Sequence, residues 1–153
     1  MNSRLMHSTQ LGEWLSYIDT VHPVGWDLGL ARVGEVGRRL DVLKPAPTVF
    51  LVAGTNGKGS TVEYIDAFCR SQGLKTGKTT SPYLMSYNDQ FCLDGRFATD
   101  HELIEAFEAI EVARGSITLT YFEYGALAAL WLFKHHRMDV AILEIGLGAP
   151  GCV

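Results

Sequence analysis

The sequence predicts an α/β protein built on a mainly parallel sheet, and three observations carry that prediction. A short apolar, β-branched run, Thr48 to Ala53, passes through a glycine-rich turn directly into a helical pattern. A second apolar run, Met138 to Ile145, leads into Gly146-Leu147-Gly148. Between the strand candidates lie segments of helical spacing ten or more residues long, the alternation that parallel sheets need for their crossovers.

In chain order, Leu11, Trp14, Leu15 and Ile18 recur at helical spacing and stop at Val21-His22-Pro23, where proline disfavours helix in the residue before it. A second helical pattern follows Asp27-Leu28-Gly29-Leu30 and runs through Val33, Val36 and Leu40; it ends before Pro45 and is weakened by Gly34 and Gly37. Thr48 to Ala53, bounded by Pro47 and Gly54, reads as a buried strand. Ser60 to Gln72 reads as a helix with its apolar face on Val62, Ile65 and Phe68, and Gly73 stands where a C-terminal capping glycine belongs. Lys75 to Thr80 and Gln90 to Leu93 are the next strands, the latter meeting an Asp94-Gly95 turn. Asp100 to Ala113 is a helix capped by Thr99 or Asp100, Tyr121 to His135 is a more buried one, and Met138 to Ile145 is a core strand.

Composition bounds the function. The 153 residues are 47% hydrophobic and 20% charged, as in a globular domain. A net charge of -4 and a pI of 5.7 argue against nucleic acid as a partner. No apolar run reaches the roughly 18 residues of a membrane span, and Met1 to Gln10 lacks the pattern of a secretion signal. The expected location is the cytoplasm. Three cysteines and five histidines are scattered without metal-ligand spacing.

The segment Gly54-Thr55-Asn56-Gly57-Lys58-Gly59-Ser60 lies between a strand and a helix, where backbone N–H groups and a helix N-terminus cradle phosphate oxygens. Lys58 supplies the point charge for the β- and γ-phosphates, and glycines let the backbone donors approach closely. The match to the general phosphate-loop pattern is incomplete. Val52 stands where the first glycine would be, and Gly59 separates Lys58 from the hydroxyl of Ser60.

Ala53 to Ser60, AGTNGKGS, resembles the phosphate loop of the Mur ligase family, and its Gly59-Ser60 form is similar to the folylpolyglutamate synthase/dihydrofolate synthase branch. Asp27 to Val33, Thr80-Ser81-Pro82-Tyr83-Leu84, Leu119 to Tyr124 and Ile142 to Gly148 extend the likeness. The resemblance implies a Mur-type ATP-binding domain that is truncated. It also implies a reaction in which ATP phosphorylates the carboxylate of dihydropteroate or a reduced folate, and L-glutamate then attacks the acyl phosphate. Lys58 would be catalytic; Thr55, Asn56, Gly57, Lys58, Gly59 and Ser60 would hold ATP; Ser81 and Glu144 would hold Mg2+. Asp27, Leu28, Gly29, Leu30, Thr120, Tyr121, Phe122 and Glu123 would face the folate. Glu144 attracts notice on its own, as a carboxylate at the carboxyl end of an apolar strand, where open parallel sheets bind ligands. Each assignment has a plainer alternative: Glu144 as a strand-end residue facing water, Ser81 as a turn residue before proline, and Thr120 with Glu123 as a helix capping box.

The resemblance covers about residues 11 to 148. Where the family continues with Gly-Arg-Leu-Asp, this chain reads Gly148-Ala149-Pro150-Gly151-Cys152-Val153. Reverse translation of this tail, read one base later, spells Arg-Leu-Asp-Ala with suitable degenerate bases. Residues 1–148 are therefore expected to be the N-terminal part of the ATP-binding domain, and 149–153 a frameshifted, foreign tail. A non-catalytic nucleotide- or folate-binding module, and a Mur-type ligase acting on a cell-wall precursor, are the alternative readings.

Overall fold

The computed structural model describes residues 8–23, 27, 29–81 and 85–145. They form two compact units, one made of the described residues up to Leu43 with Thr99–Leu132, the other of Lys44–Ala98 with the described residues from Phe133 onward.

The first unit is helical: α1 (Leu11–Val21), α2 (Leu30–Arg39), α4 (Asp100–Arg114) and most of α5 (Tyr121–His135). Helix α1 buries Leu11, Trp14 and Ile18, the stripe its sequence spacing predicts. Trp14 packs against Phe107 of α4 with ring centroids 6.0 Å apart, and Phe107 meets Tyr124 of α5 edge-on at 6.2 Å. Gly37 is a close-approach point, because a Cβ there would lie 2.8 Å from Leu43 and 3.6 Å from Leu127. This is the packing reason for a glycine inside α2. Thr99 caps α4 in a reciprocal capping box with Glu102.

The second unit is a five-stranded sheet in the order β1-β5-β2-β3-β4, from β1 (Thr48–Val52), β2 (Thr76–Thr79), β3 (Phe91–Leu93), β4 (Arg96–Phe97) and β5 (Val140–Glu144). Strands β1, β5 and β2 are parallel, while β3 and β4 form an antiparallel hairpin on the far side of β2. The two-residue loop of that hairpin places Asp94 at φ 50° and Gly95 at φ 88°, the paired left-handed turn that an Asp-Gly dipeptide favours. Helix α3 (Lys58–Ser71) covers one face, packing Val62, Ile65 and Cys69 on Val52, Val140 and Ile142.

Two expectations are corrected here. The β1 strand is not buried: only Val52 is, while Thr48 to Leu51 are exposed, because β1 is the edge strand and has β5 on one side only. Phe68 is not on the apolar face of α3 but 68% exposed. At 3.6 residues per turn, position 69 falls within about 20° of position 62, whereas position 68 lies about 120° away. Cys69 therefore takes the inward place.

Candidate functional site

The glycine loop leaves β1 at Val52 and turns into α3 through Gly57, whose φ of 75° is left-handed and strains any side chain but glycine's. No side chain caps this helix start. The first N–H groups of any helix lack intrahelical partners, so those of Lys58, Gly59 and Ser60 are offered outward. The first internal bond is Thr61 N–H to the Gly57 carbonyl at 3.0 Å. A Cβ on Gly57 or Gly59 would meet nothing within 4 Å, so the space before these donors is open. Lys58 folds back to donate from Nζ to the Gly54 carbonyl at 2.7 Å. Lys58 and Asn56 line a cavity of about 250 Å³ together with residues of β1 and α3. Thr55 and Ser60 are exposed on the same loop and helix start. The arrangement has what an oligophosphate requires: convergent donors, a helix N-terminus and a cation.

Sheet register brings the other candidates to the same edge. Val52 stands opposite Glu144, and Thr79 opposite Leu143, so the carboxyl ends of β1, β5 and β2 lie side by side. Glu144 ends the middle strand. Ile145 N–H donates to the Val52 carbonyl at 2.9 Å, holding that end of β5 to the strand that launches the loop. Ser81 follows β2 by two residues, and both Ser81 and Glu144 are half-buried. Among the described residues no group of three or more His, Cys, Asp or Glu side chains is poised for a metal. What the edge offers is one hydroxyl and one carboxylate, hard oxygen donors suited to an ion that keeps most of its waters. Pro82 to Leu84 and Gly146 to Val153, with the proposed foreign tail, lie outside the described residues.

In the helical unit two of the remaining candidates, Asp27 and Glu123, meet at a residue that sequence reasoning left without a role. Arg32 donates from Nη1 to the Thr118 carbonyl at 2.6 Å and to Glu123 Oε2 at 3.1 Å, and from Nη2 to Glu123 Oε1 at 3.2 Å. Its Nη2 also pairs with Asp27 Oδ2 at 2.9 Å. Asp27 Oδ1 accepts from Gly29 N–H at 2.8 Å. That bond, opposed by desolvation and aided by Arg32 and His22, holds the Asp27 carboxyl below its ordinary range. Thr120 and Glu123 form the capping box of α5, with Thr120 N–H to Glu123 Oε2 at 2.8 Å and Glu123 N–H to Thr120 Oγ1 at 3.2 Å. The capping alternative is thus realised, and both residues are buried. Leu30 is 73% exposed and Phe122 65%, while Tyr121 is half-buried. Leu28 lies outside the described residues. The signal for Arg32 was its place in the Asp27 to Val33 block, five residues from a carboxylate, but neither partner segment could be inferred from spacing.

A second missed feature sits under α3. Asp66, buried, accepts from Thr76 Oγ1 and from Lys78 Nζ, the latter at 2.9 Å, and Lys78 also reaches Glu63 at 2.7 Å. Burial disfavours the Lys78 charge, yet the two carboxylates outweigh it and raise its pKa.

The mostly parallel sheet, with a glycine loop leading from the carboxyl end of a strand into a helix N-terminus, makes this an α/β protein of phosphate-loop architecture. No family model matches the chain. It is 49% identical over 141 residues to the dihydrofolate synthase/folylpolyglutamate synthase of Escherichia coli K12, an alignment covering 92% of this chain and 33% of that protein. The solved structure of E. coli FolC in complex with DHPP and ADP superposes with a TM-score of 0.90 at 49% identity, over 94% of this chain and 34% of the other. A bifunctional folylpolyglutamate synthase/dihydrofolate synthase with Mn, AMPPNP and L-glutamate bound gives a TM-score of 0.87 at 46% identity, with 94% and 34% covered. The chain belongs to the dihydrofolate synthase/folylpolyglutamate synthase family and spans about a third of the length of the curated relatives it matches.

Proposed function

We propose that this chain provides the phosphate loop and part of the folate-facing surface of an ATP-dependent ligase that adds L-glutamate to dihydropteroate, to reduced folates, or to both. The observation that carries the reading is the alignment of the Gly54 to Ser60 loop, Glu144 and Ser81 at the carboxyl ends of three adjacent parallel strands. The relatives solved with ADP, AMPPNP, Mn, DHPP and L-glutamate support it.

In this reading Lys58 swings from the Gly54 carbonyl to the phosphate oxygens as charge develops there, and the N–H groups around Thr55 to Ser60 hold the chain of phosphates in line. Catalysis of phosphoryl transfer is then positioning and charge neutralisation. Ser81 and Glu144 would hold a divalent cation, with magnesium the physiological choice, which supplies positive charge beside the phosphates. Asp27, Gly29, Leu30, Tyr121 and Phe122 would face the heterocycle, whose flat surface suits the exposed Phe122 ring. The expected location is the cytoplasm.

Two measurements test this. Binding of a fluorescent ATP analogue to the chain should weaken in Lys58→Ala by about 10- to 100-fold, the equivalent of one charge-assisted bond of ~1.5–3 kcal/mol. A hybrid in which the chain replaces the matching third of the E. coli relative should add labelled glutamate to dihydropteroate and ignore a UDP-linked cell-wall precursor. A folded hybrid that uses the precursor instead would replace this reading with a cell-wall one; one that binds both ligands without turnover would favour a binding module.

A further inference from the structure

We propose that Arg32 is the positioning residue of the folate-facing surface, its guanidinium fixing Asp27, through it Gly29, and the start of α5 in a single arrangement. The inference rests on the substrate reading above and adds a residue to it. Arg32 ties two stretches of chain to α2 through four contacts: the Thr118 carbonyl, both oxygens of Glu123, and Asp27. The fork on Glu123 is bidentate, a geometry that fixes orientation as well as distance. Glu123's side chain is only 8% exposed and Arg32's 25%, so the pair is shielded from water.

Every partner of the clamp has a second tie to backbone or to a neighbour. Glu123 Oε2 also accepts Thr120 N–H, which sets the first turn of α5. Asp27 Oδ1 also accepts Gly29 N–H, which ties it to the residue just before α2. His22 closes the circuit, with Nε2 3.4 Å from Asp27 Oδ2 and Nδ1 2.8 Å from Thr118 Oγ1. Moving Arg32 therefore moves both segments. Leu30 and Phe122, two large exposed apolar residues, sit within two positions of clamped residues, Leu30 near Arg32 and Phe122 next to Glu123. Exposed side chains cannot fix their own backbone by burial, so the clamp does it for them. Because the fork is engaged on the protein, Arg32 acts through these neighbours rather than on the ligand.

Lysine keeps the charge but offers a point where arginine offers a plane, so it cannot span Glu123, Asp27 and Thr118 together. The test compares the chain with Arg32→Lys and Asp27→Asn, measuring binding of tritiated dihydropteroate, binding of a fluorescent ATP analogue and the thermal midpoint. Arg32→Lys is expected to weaken dihydropteroate by about tenfold or more while leaving the nucleotide affinity unchanged, a selectivity that general loss of structure would not produce. Asp27→Asn keeps the shape of a residue that itself faces the heterocycle in that reading and weakens its pairing with Arg32 and His22, so it should shift dihydropteroate in the same direction. Either variant binding dihydropteroate as tightly as the unaltered chain overturns the positioning role and leaves the substrate reading intact. If the unaltered chain binds the nucleotide and not dihydropteroate, the substrate reading fails and the inference falls with it.

Discussion

Replacing Glu111 with alanine is expected to remove a large share of the helical unit's stability. Its carboxylate is buried and accepts four hydrogen bonds: from Arg114 Nε at 2.6 Å, Arg114 Nη2 at 2.9 Å, Tyr17 Oη at 3.1 Å and Tyr124 Oη. Without it, Arg114 keeps, among the described residues, the carbonyls of Gly115 and Ile117 and the Tyr17 hydroxyl. Those are dipoles, and a buried guanidinium lacking its counter-charge typically costs about 3–5 kcal/mol. For a domain whose total stability is of the order of 5–15 kcal/mol, that is about a fifth or more. With a urea slope near ~2 kcal/mol/M, the unfolding midpoint should fall by roughly 2 M. Trp14 is fully buried beside Phe107 and makes tryptophan fluorescence a reporter of this unit. Glu111→Leu with Arg114→Met, which removes both charges, should recover ~1–2 kcal/mol over the alanine variant. An alanine variant within 1 kcal/mol of the parent, or a double variant no better than the single, would refute the argument that the unpaired charge sets the cost.

The same network predicts a two-sided pH dependence. Burial resists ionisation of Glu111, but the Arg114 and Tyr124 hydrogen bonds overcome it and lower its pKa. Its contribution is therefore present above the ordinary carboxyl value near ~4.3 and is lost as pH falls through the depressed one. Burial, then Glu111, raises Tyr124; that contribution is complete below about pH 10 and declines at higher pH, so urea midpoints should plateau between these limits. Glu111→Gln should flatten the acid limb; an unchanged limb would show that other groups govern it. Glu144→Gln should reduce the divalent-metal dependence of nucleotide binding with little change of fold, since the amide removes the charge a hard cation prefers, and an unaltered metal titration would count against Glu144 as ligand. Gly77→Ala should cost about 1–3 kcal/mol by overpacking, because a Cβ there overlaps the Phe133 ring; a denaturation midpoint equal to the parent's would mean the ring yields freely.

The parts of the fold that local chemistry dictates were legible. Pro47, an apolar run, a glycine turn and a capped amphipathic helix are contiguous instructions, and β1, the loop and α3 follow them. The Asp94-Gly95 turn and a cap at the start of α4, by Thr99 or Asp100, were readable for the same reason. What escaped is non-local. Nothing in the apolar run Thr48 to Val52 says that it lies at the sheet edge, since a run reads as buried whether it has one neighbour or two. Phe68 misled because a spacing of three was extended once too often. Arg32 joins residues more than eighty positions away, and the Asp66–Lys78 pair lies under a helix whose sequence shows only a polar residue between apolar ones. In the candidate site, the loop could be read from geometry, while Ser81 and the folate-facing residues rested on resemblance.

Strand β5 has a consequence for the order in which the phosphate loop matures. Among the described residues it is the last strand, yet it lies between β1 and β2 and is the one strand paired with β1. On the ribosome, then, the strand that anchors the loop emerges some ninety residues before the strand that holds it in register. Until Val140 to Glu144 arrive, Thr48 to Val52 have no ladder to join, and the Gly54 to Ser60 loop hangs from an unpaired strand. Such late, distant closure slows folding, and it makes nucleotide capture a readout of synthesis: ribosome-bound chains arrested before Val140 should ignore an ATP analogue that chains extended past Ile145, and clear of the exit tunnel, retain.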